Sequence, residues 1–237
     1  MAVEADASRR DDGDGRQLSD GPLRAAVLIP AYDEARTVAN VVRVARRAGI
    51  GPVVVVDDGS SDSTAAVARR AGAEVLRMEQ NRGKGGALAA GASARDEDVL
   101  VLLDADLTGL RPAHVRALAR PVVAGEAAMS RGVFAGGRWS TTAAQRLIPQ
   151  LNGQRAVLRE GLLEVPGLAE SRYGVEVAIT EHAAEAGWST VDVPLAGVSQ
   201  VMKEEKRGVL RGLLVRLGMY GQIVRQMLFP QRNTPKR

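Results

Sequence analysis

Short, mostly apolar runs alternate along the chain with segments whose apolar residues recur every three or four positions, and this rhythm holds from Ala25 to Met129. Ala25–Ile29, Val53–Val56, Glu74–Arg77, Val99–Leu103 and the weaker Ala127–Met129 read as strands. Thr37-Val38-Val41-Val42-Val44-Ala45 and Ala65-Val67-Ala68 carry helical spacing, with Ser60, Asp62 and Ser63 suited to helix starts and Gly49 and Gly72 to helix ends. Strands that are apolar throughout and joined by helices predict an α/β fold with a mostly parallel sheet covered on both faces.

After Ser130 the rhythm fails. Gly132–Trp139 reads as a mobile loop, and a helix resumes near Thr141–Leu151. The segment Gln154–Arg159 follows, then a helix over about Val175–Ala186 and a strand at Thr190–Val193. This half is expected to pack on the first, so that 23–207 forms one unit with a nucleotide half (23–130) and an acceptor half (131–207). From Val209 to Leu228 the apolar residues line one side of a helix, with Arg211 and Arg225 opposite and Pro230 ending it. Residues 208–237 thus form a C-terminal amphipathic helix and basic tail. No internal repeat is visible.

Composition narrows the class. The 237 residues are 45% hydrophobic but only 3% aromatic, so alanine, valine and leucine must fill the core. Cysteine is absent, which excludes disulfides, thiolate metal sites and cysteine nucleophiles and accords with a cytoplasmic protein. No apolar stretch approaches membrane-spanning length. Residues 1–22 carry six acids against three arginines and little to bury, and read as a disordered arm rather than a signal peptide. Residues 202–237 carry nine basic residues against Glu204 and Glu205. A solvated face is the ordinary reading of such a run, and contact with phosphate or an anionic membrane surface is the functional one. Nucleic acid is not an expected partner, because the basic residues gather at one end and few aromatics are available to stack on bases.

Two apolar runs end in carboxylates, at Asp57-Asp58-Gly59-Ser60 and at Asp104-Ala105-Asp106, with Asn81-Arg82-Gly83-Lys84-Gly85-Gly86 between them. Ligands of open α/β sheets bind outside the carboxyl ends of the strands, so both clusters should reach one crevice. Carboxylates there can hold a divalent cation, and Lys84 supplies a positive point charge whose glycine neighbours allow close backbone approach. A nucleotide diphosphate held by a metal is the ligand this set suggests. Taken singly, Asp-x-Asp is a surface turn and Lys84 a solvated loop lysine, and the order of the motifs overturns those readings. The glycines do not form a Gly-x-x-x-x-Gly-Lys-Ser/Thr phosphate loop.

Together with Ile29-Pro30-Ala31-Tyr32-Asp33-Glu34, these stretches resemble the family 2 glycosyltransferases of GT-A fold. Asn152-Gly153-Gln154-Arg155-Ala156 and Tyr173-Gly174-Val175-Glu176 look like acceptor-side motifs of polyprenyl-phosphate sugar transferases and glucosyl-3-phosphoglycerate synthases. The resemblance implies a GT-A (Rossmann-like) sheet and Mg²⁺ or Mn²⁺ with a nucleotide-sugar donor. It puts Pro30, Ala31, Tyr32 and Glu34 around the nucleoside, Asp58 and Gly59 at the base, and Lys84 at the diphosphate or the uracil edge. Asp104 and Ala105 fall beside the ribose or a metal-bound water, and Asp106 is the direct metal ligand. In related sugar-3-phosphoglycerate enzymes a histidine ligates metal in the segment that here reads Val198–Lys203, and Gln200, a weaker ligand, stands in this chain.

Glu176 is the acceptor-side carboxylate of interest. It would accept a hydroxyl proton if the anomeric centre is inverted, or it is simply a first-turn acid favoured by the helix dipole. Gln154 and Arg155 join it as acceptor-binding residues, Arg155 either contacting an anion or making a structural salt bridge. Arg159, Arg172, Lys203, Lys206 and Arg207 could extend a cationic cradle. His114 and His182 fall in predicted helices and read as ordinary helix-surface residues.

The expected activity is metal-dependent transfer of a sugar from a nucleotide-diphosphate sugar, with UDP favoured, to a phosphate-bearing acceptor. Catalysis would rest on Asp106, Glu176 and Lys84. Polyprenyl phosphate is favoured by the basic helix, which could lie at a bilayer interface or in a homodimer contact. A phosphorylated small acid such as 3-phosphoglycerate is the alternative acceptor. A nucleotidyltransferase is disfavoured because Pro30-Ala31-Tyr32-Asp33-Glu34 stands where that chemistry uses a basic glycine-rich loop, and a non-catalytic nucleotide-binding protein is the third reading.

Overall fold

The computed structural model describes residues 23–135, 153–171 and 174–200. The arm 1–22, the helix near Thr141–Leu151, Asn152, Arg172, Tyr173, Lys203, Lys206, Arg207 and the C-terminal helix lie outside the described residues.

The first half alternates strand and helix: β1 (Ala25–Ala31), α1 (Val38–Ala48), β2 (Val53–Asp57), α2 (Thr64–Arg70), β3 (Glu74–Arg77), α3 (Gly83–Ser93) and β4 (Val99–Leu102). There follow β5 (Leu107–Thr108), α4 (Pro112–Val123), β6 (Met129–Ala135), β7 (Arg155–Leu158), α5 (Arg159–Glu164), α6 (Val175–Glu185), β8 (Thr190–Ala196) and β9 (Ser199–Gln200). Seven strands form one sheet in the order β3-β2-β1-β4-β7-β6-β8, in which β7 alone runs against its neighbours. The two short strands β5 and β9 pair antiparallel in a separate ribbon. The fold is therefore the mostly parallel, helix-flanked sheet that the hydrophobic rhythm predicts.

Successive residues of β1 face opposite layers. Val27 and Ile29 pack with α1, α2 and α4 through Val38, Val41, Val42, Ala68, Leu118 and Val122. Ala26 and Leu28 pack with α3, α5 and α6 through Ala87, Leu88, Leu162 and Ile179. Full burial of each leucine, valine or isoleucine is worth roughly 1.5–3 kcal/mol, so the two layers fix the sheet and hence its rim.

One segment departs from the expectation. The chain from Gly132 to Ala135 is not loop but the continuation of β6, held in register against β8 from Met129↔Thr190 to Ala135↔Ala196. A neighbouring strand supplies the ladder that the local pattern does not announce. Lys84, in a stretch to which the sequence pattern assigns no element, sits in the first turn of α3. Glycine is a poor helix former, yet a Cβ on Gly85 would lie 2.2 Å from the Leu168 carbonyl oxygen and one on Gly91 2.5 Å from Leu28 Cδ1. Packing overrides propensity here: Gly91 lets α3 lie close to the sheet, and Gly85 lets it meet the 168–171 segment.

Candidate active site

The carboxyl ends of β1, β2 and β4 carry the predicted nucleotide-binding residues to one rim. Because β7 is reversed, its amino end, with Gly153, Gln154 and Arg155, lies beside them: Arg155 pairs with Leu102, two residues before Asp104. The amino ends of α3 and α6 bring Lys84 and Glu176.

The β1 and β2 loops are sewn together. Asp33 adopts a left-handed φ of 52°, a conformation Asp tolerates better than most residues, and its Oδ1 accepts the Ser61 N–H at 2.9 Å. The Asp33 N–H donates to Ser60 Oγ at 3.0 Å and the Glu34 N–H to Thr64 Oγ1 at 2.8 Å. Thr64 in turn donates to Asp62. Burial would raise the Asp62 carboxyl, but hydrogen bonds from Thr64 and Ala35 hold it below its ordinary value. Glu34 is buried and accepts from Thr37 Oγ1 at 2.7 Å, whereas the Tyr32 ring is 39% exposed at the mouth. Pro30 and Ala31 end β1 beneath it.

Asp58 is 3% exposed and its carboxylate accepts the backbone N–H groups of Arg82 at 2.7 Å and Gly83 at 2.8 Å. It therefore caps the start of α3, one residue from Lys84. Gly59 has φ 70°, and a Cβ there would sit 3.0 Å from Asn81 N, so the turn after β2 can close on the same loop.

Lys84 is the junction of the site. Its Nζ lies 2.5 Å from Asp104 Oδ1 and 2.5 Å from Glu176 Oε1. Burial would lower the lysine's proton affinity, but the charges of Asp104 and Glu176 overcome it and hold the ammonium well above the usual lysine range. The other Asp104 oxygen accepts the Gln154 amide at 2.7 Å and also the Gln200 amide. Gly153 is required by this cluster, since a Cβ there would fall 2.3 Å from Lys84 Nζ and 3.0 Å from both Asp104 oxygens.

Asp106, 8% exposed, and Ala105, 5% exposed, complete the turn after β4. The β5·β9 ribbon pairs Leu107 with Gln200, which sets Gln200 alongside the residue that follows Asp106. Among the described residues no three His, Cys, Asp or Glu side chains gather as a metal cage. The oxygen donors on offer are the two carboxylates and one amide, a set suited to a hard divalent cation that takes its remaining ligands from substrate phosphates and water.

Arg155 is the largest fully buried side chain among the described residues, 0% exposed, and donates to the Glu176 carbonyl oxygen and to Thr180 Oγ1, each at 2.9 Å. Burial draws the guanidinium down to about 10, with Glu176 and Asp104 opposing and Arg131 adding to the fall, so it remains a cation at neutral pH. Through Nη1 and Nη2 it binds the hydroxyl and backbone of α6. Arg159 likewise donates inward, to the Ala92 carbonyl oxygen at 2.9 Å. Of the histidines, His114 is not a surface residue: it is 7% exposed and accepts the Arg111 N–H through Nδ1 at 3.3 Å. His182 stands edge-on to Trp188 in α6, far along the helix from Glu176.

Asp33, Gly153 and Thr180 were not singled out by sequence. Gly153 sits in a quoted motif and could have been found there. Asp33 likewise stands in the Ile29–Glu34 stretch, but its bond to Ser61 across the chain does not show locally, and Thr180 matters through its bonds to Arg155 and Glu176.

Residues 26–171 match the model of glycosyl transferase family 2, more than half of the chain, and the chain belongs to that family. Glycosyltransferase AglJ of Haloferax volcanii is 30% identical over 192 residues, 73% of this chain and 62% of the relative. Glucosyl-3-phosphoglycerate synthase of Mycolicibacterium paratuberculosis is 31% identical over 197 residues, 65% of this chain and 58% of the relative. The chain thus spans less than two thirds of the length of either. Among solved structures, glucosyl-3-phosphoglycerate synthase from Mycobacterium tuberculosis in complex with Mn²⁺, UDP and phosphoglyceric acid superposes with TM-score 0.70 at 26% identity, covering 90% of this chain and 80% of that one. The same enzyme has also been solved with Mg²⁺ and UDP.

Proposed function

We propose that the chain transfers a sugar from a UDP-sugar to a hydroxyl of a phosphate-bearing acceptor. The observation that carries this reading is the double engagement of Lys84, whose ammonium joins Asp104 of the Asp-x-Asp turn to Glu176 of the acceptor-side helix. Donor half and acceptor half meet at one cation.

A Mg²⁺ or Mn²⁺ ion held by Asp106 and Asp104 would act as a Lewis acid on the diphosphate leaving group. Gln154 and Gln200 orient the Asp104 carboxylate by donating to it. Asp58 fixes the start of α3 and so the place where Lys84 meets the diphosphate. When the diphosphate draws the ammonium toward itself, Glu176 Oε1 is released to take the hydrogen bond, and then the proton, of an acceptor hydroxyl. Tyr32 and the Pro30–Glu34 loop form the wall for the base. Binding of UDP by the structural relatives supports uridine as that base.

The carboxylate next to Lys84 favours a hydroxyl nucleophile. A phosphate oxygen attacking there would meet Glu176 as a like charge, whereas a hydroxyl needs an acceptor for its proton. A phosphorylated small acid such as 3-phosphoglycerate, the compound bound by the structural relative, fits better than a polyprenyl phosphate. The polyprenyl reading retains one support, the amphipathic pattern of 209–228. Among the described residues no helix is long and apolar enough to cross a membrane.

The test is transfer from UDP-glucose with Mn²⁺ to 3-phosphoglycerate or to polyprenyl phosphate in detergent, each with Asp106→Ala as control. Product from 3-phosphoglycerate, lost in the control, is expected. Product from the lipid alone would replace the small-acid reading, and no product from either with any nucleotide sugar would remove the assignment as an enzyme.

A further inference from the structure

A fully buried arginine grips the helix that carries Glu176. Burying a guanidinium is costly unless its N–H groups are bonded, and both terminal nitrogens of Arg155 donate to α6. Nη2 donates to the Glu176 carbonyl and Nη1 to Thr180 Oγ1, both at 2.9 Å, while the Thr180 hydroxyl donates to the same carbonyl at 2.7 Å. The three groups close a triangle on the first turn of α6. Because the hydroxyl accepts from the arginine, its own proton is directed to the carbonyl. Met129 Sδ, 3.8 Å from Nη1, backs the guanidinium on the sheet side.

The turn so held is the one from which the Glu176 carboxylate reaches Lys84. Arg155 belongs to a strand rigidly paired with β4 at Leu102, just before the Asp-x-Asp turn. The neighbouring Gln154 binds Asp104 directly. A single extended segment therefore holds the metal-side carboxylate with one residue and the acceptor-side helix with the next.

We propose that Arg155 is a positioning residue: it does not touch substrate but sets the Glu176 carboxylate at its working distance from Lys84 and the Asp-x-Asp turn. This rests on the glycosyltransferase reading above. Loss of the grip lets the first turn of α6 shift, and a misplacement of about 1 Å can cost on the order of a hundredfold in rate.

The experiment uses the full chain carrying R155M, R155K and T180V, each alone and combined with E176Q. R155M should slow transfer about a hundredfold and R155K about tenfold, a partial rescue by the remaining charge, with UDP affinity in Mn²⁺ changed less than about twofold. R155M/E176Q should be no slower than E176Q, since the arginine acts through that carboxylate. A crystal structure of R155M should show the Lys84–Glu176 pair opened. If the two rate losses multiply, or if the pair is intact in R155M, the proposal is overturned. Should R155M fail to fold, T180V must show the same non-additivity at smaller size. If E176Q transfers at the parent rate, the chemical role given to Glu176 fails, and the R155M structure still decides the positioning claim.

Discussion

Lys84 Nζ and Asp104 Oδ1 stand 2.5 Å apart although most of α3 and all of β4 lie between them along the chain. The ammonium neutralises a carboxylate that a divalent ion would also use. Lys84→Met should therefore bind Mn²⁺ more tightly in the absence of nucleotide, because the metal no longer competes with a fixed cation, while transfer falls about a hundredfold or more for want of a charge on the diphosphate. Paramagnetic titration of Mn²⁺ reads the first effect. Weaker metal binding in the variant would contradict the competition.

Asp106→Asn keeps shape and removes charge. UDP affinity of the parent should rise on adding Mn²⁺, and calorimetry should find this enhancement lost in the variant, with transfer reduced by about two orders of magnitude. An unaltered Mn²⁺ response would move the metal off this turn.

Gly153→Ala isolates a steric requirement. Its Cβ would lie 2.3 Å from Lys84 Nζ, so the lysine must leave Asp104, while the main-chain conformation at 153 carries no positive φ to strain. Transfer should fall about tenfold or more, with stability within about 0.5 kcal/mol of the parent by chemical denaturation. Equal losses of rate and stability would show that the glycine serves the fold instead.

Gly91→Ala tests the close seat of α3. A Cβ would meet Leu28 Cδ1 at 2.5 Å, Leu28 Cδ2 at 2.8 Å and Val56 Cγ2 at 2.9 Å. Overpacking costs about 1–3 kcal/mol and outweighs the roughly 1 kcal/mol by which alanine improves a helix interior. A lower denaturant midpoint is expected, and a raised one would mean that α3 can move outward freely.

Burial, reinforced by the Arg111 charge, lowers the His114 imidazole below its ordinary value. The unfolded chain then binds the proton more readily than the folded one, so stability is complete above about pH 6.5 and falls as the pH drops toward the folded value. Melting temperature should decline more steeply from pH 7 to pH 5 in the parent than in His114→Gln. Parallel slopes would exclude the histidine as the source.

The parts legible in sequence are those whose cause is local. β1, β2 and β4 are largely apolar runs because both faces are covered, and Asp58, Asp104 and Asp106 are readable because each stands within three residues of the end of such a run. What escaped depends on partners far along the chain. Gly83–Ser93 is a helix seated closely against Leu168, Ser171, Leu28 and Val56, contacts that nothing in a glycine-rich stretch reveals. β6 passes through Gly132 because β8 is there to pair with it. Whether Arg155 meets an anion or makes a structural pair is open in the sequence because a sequence does not show which way a strand residue faces, and one position on the pleat separates Gln154, which reaches Asp104, from Arg155, which reaches Thr180.

The reversal of β7 decides the direction from which chain enters the site. In a sheet whose strands all run one way, chain can only depart from the catalytic edge through strand exits, and every new recognition element must be spliced into a connection that also shapes the nucleotide pocket. A single counter-running strand brings chain inward at that edge, so Gly153 and Gln154 approach Lys84 and Asp104 from a segment that belongs to none of the strand-to-helix connections of the nucleotide half.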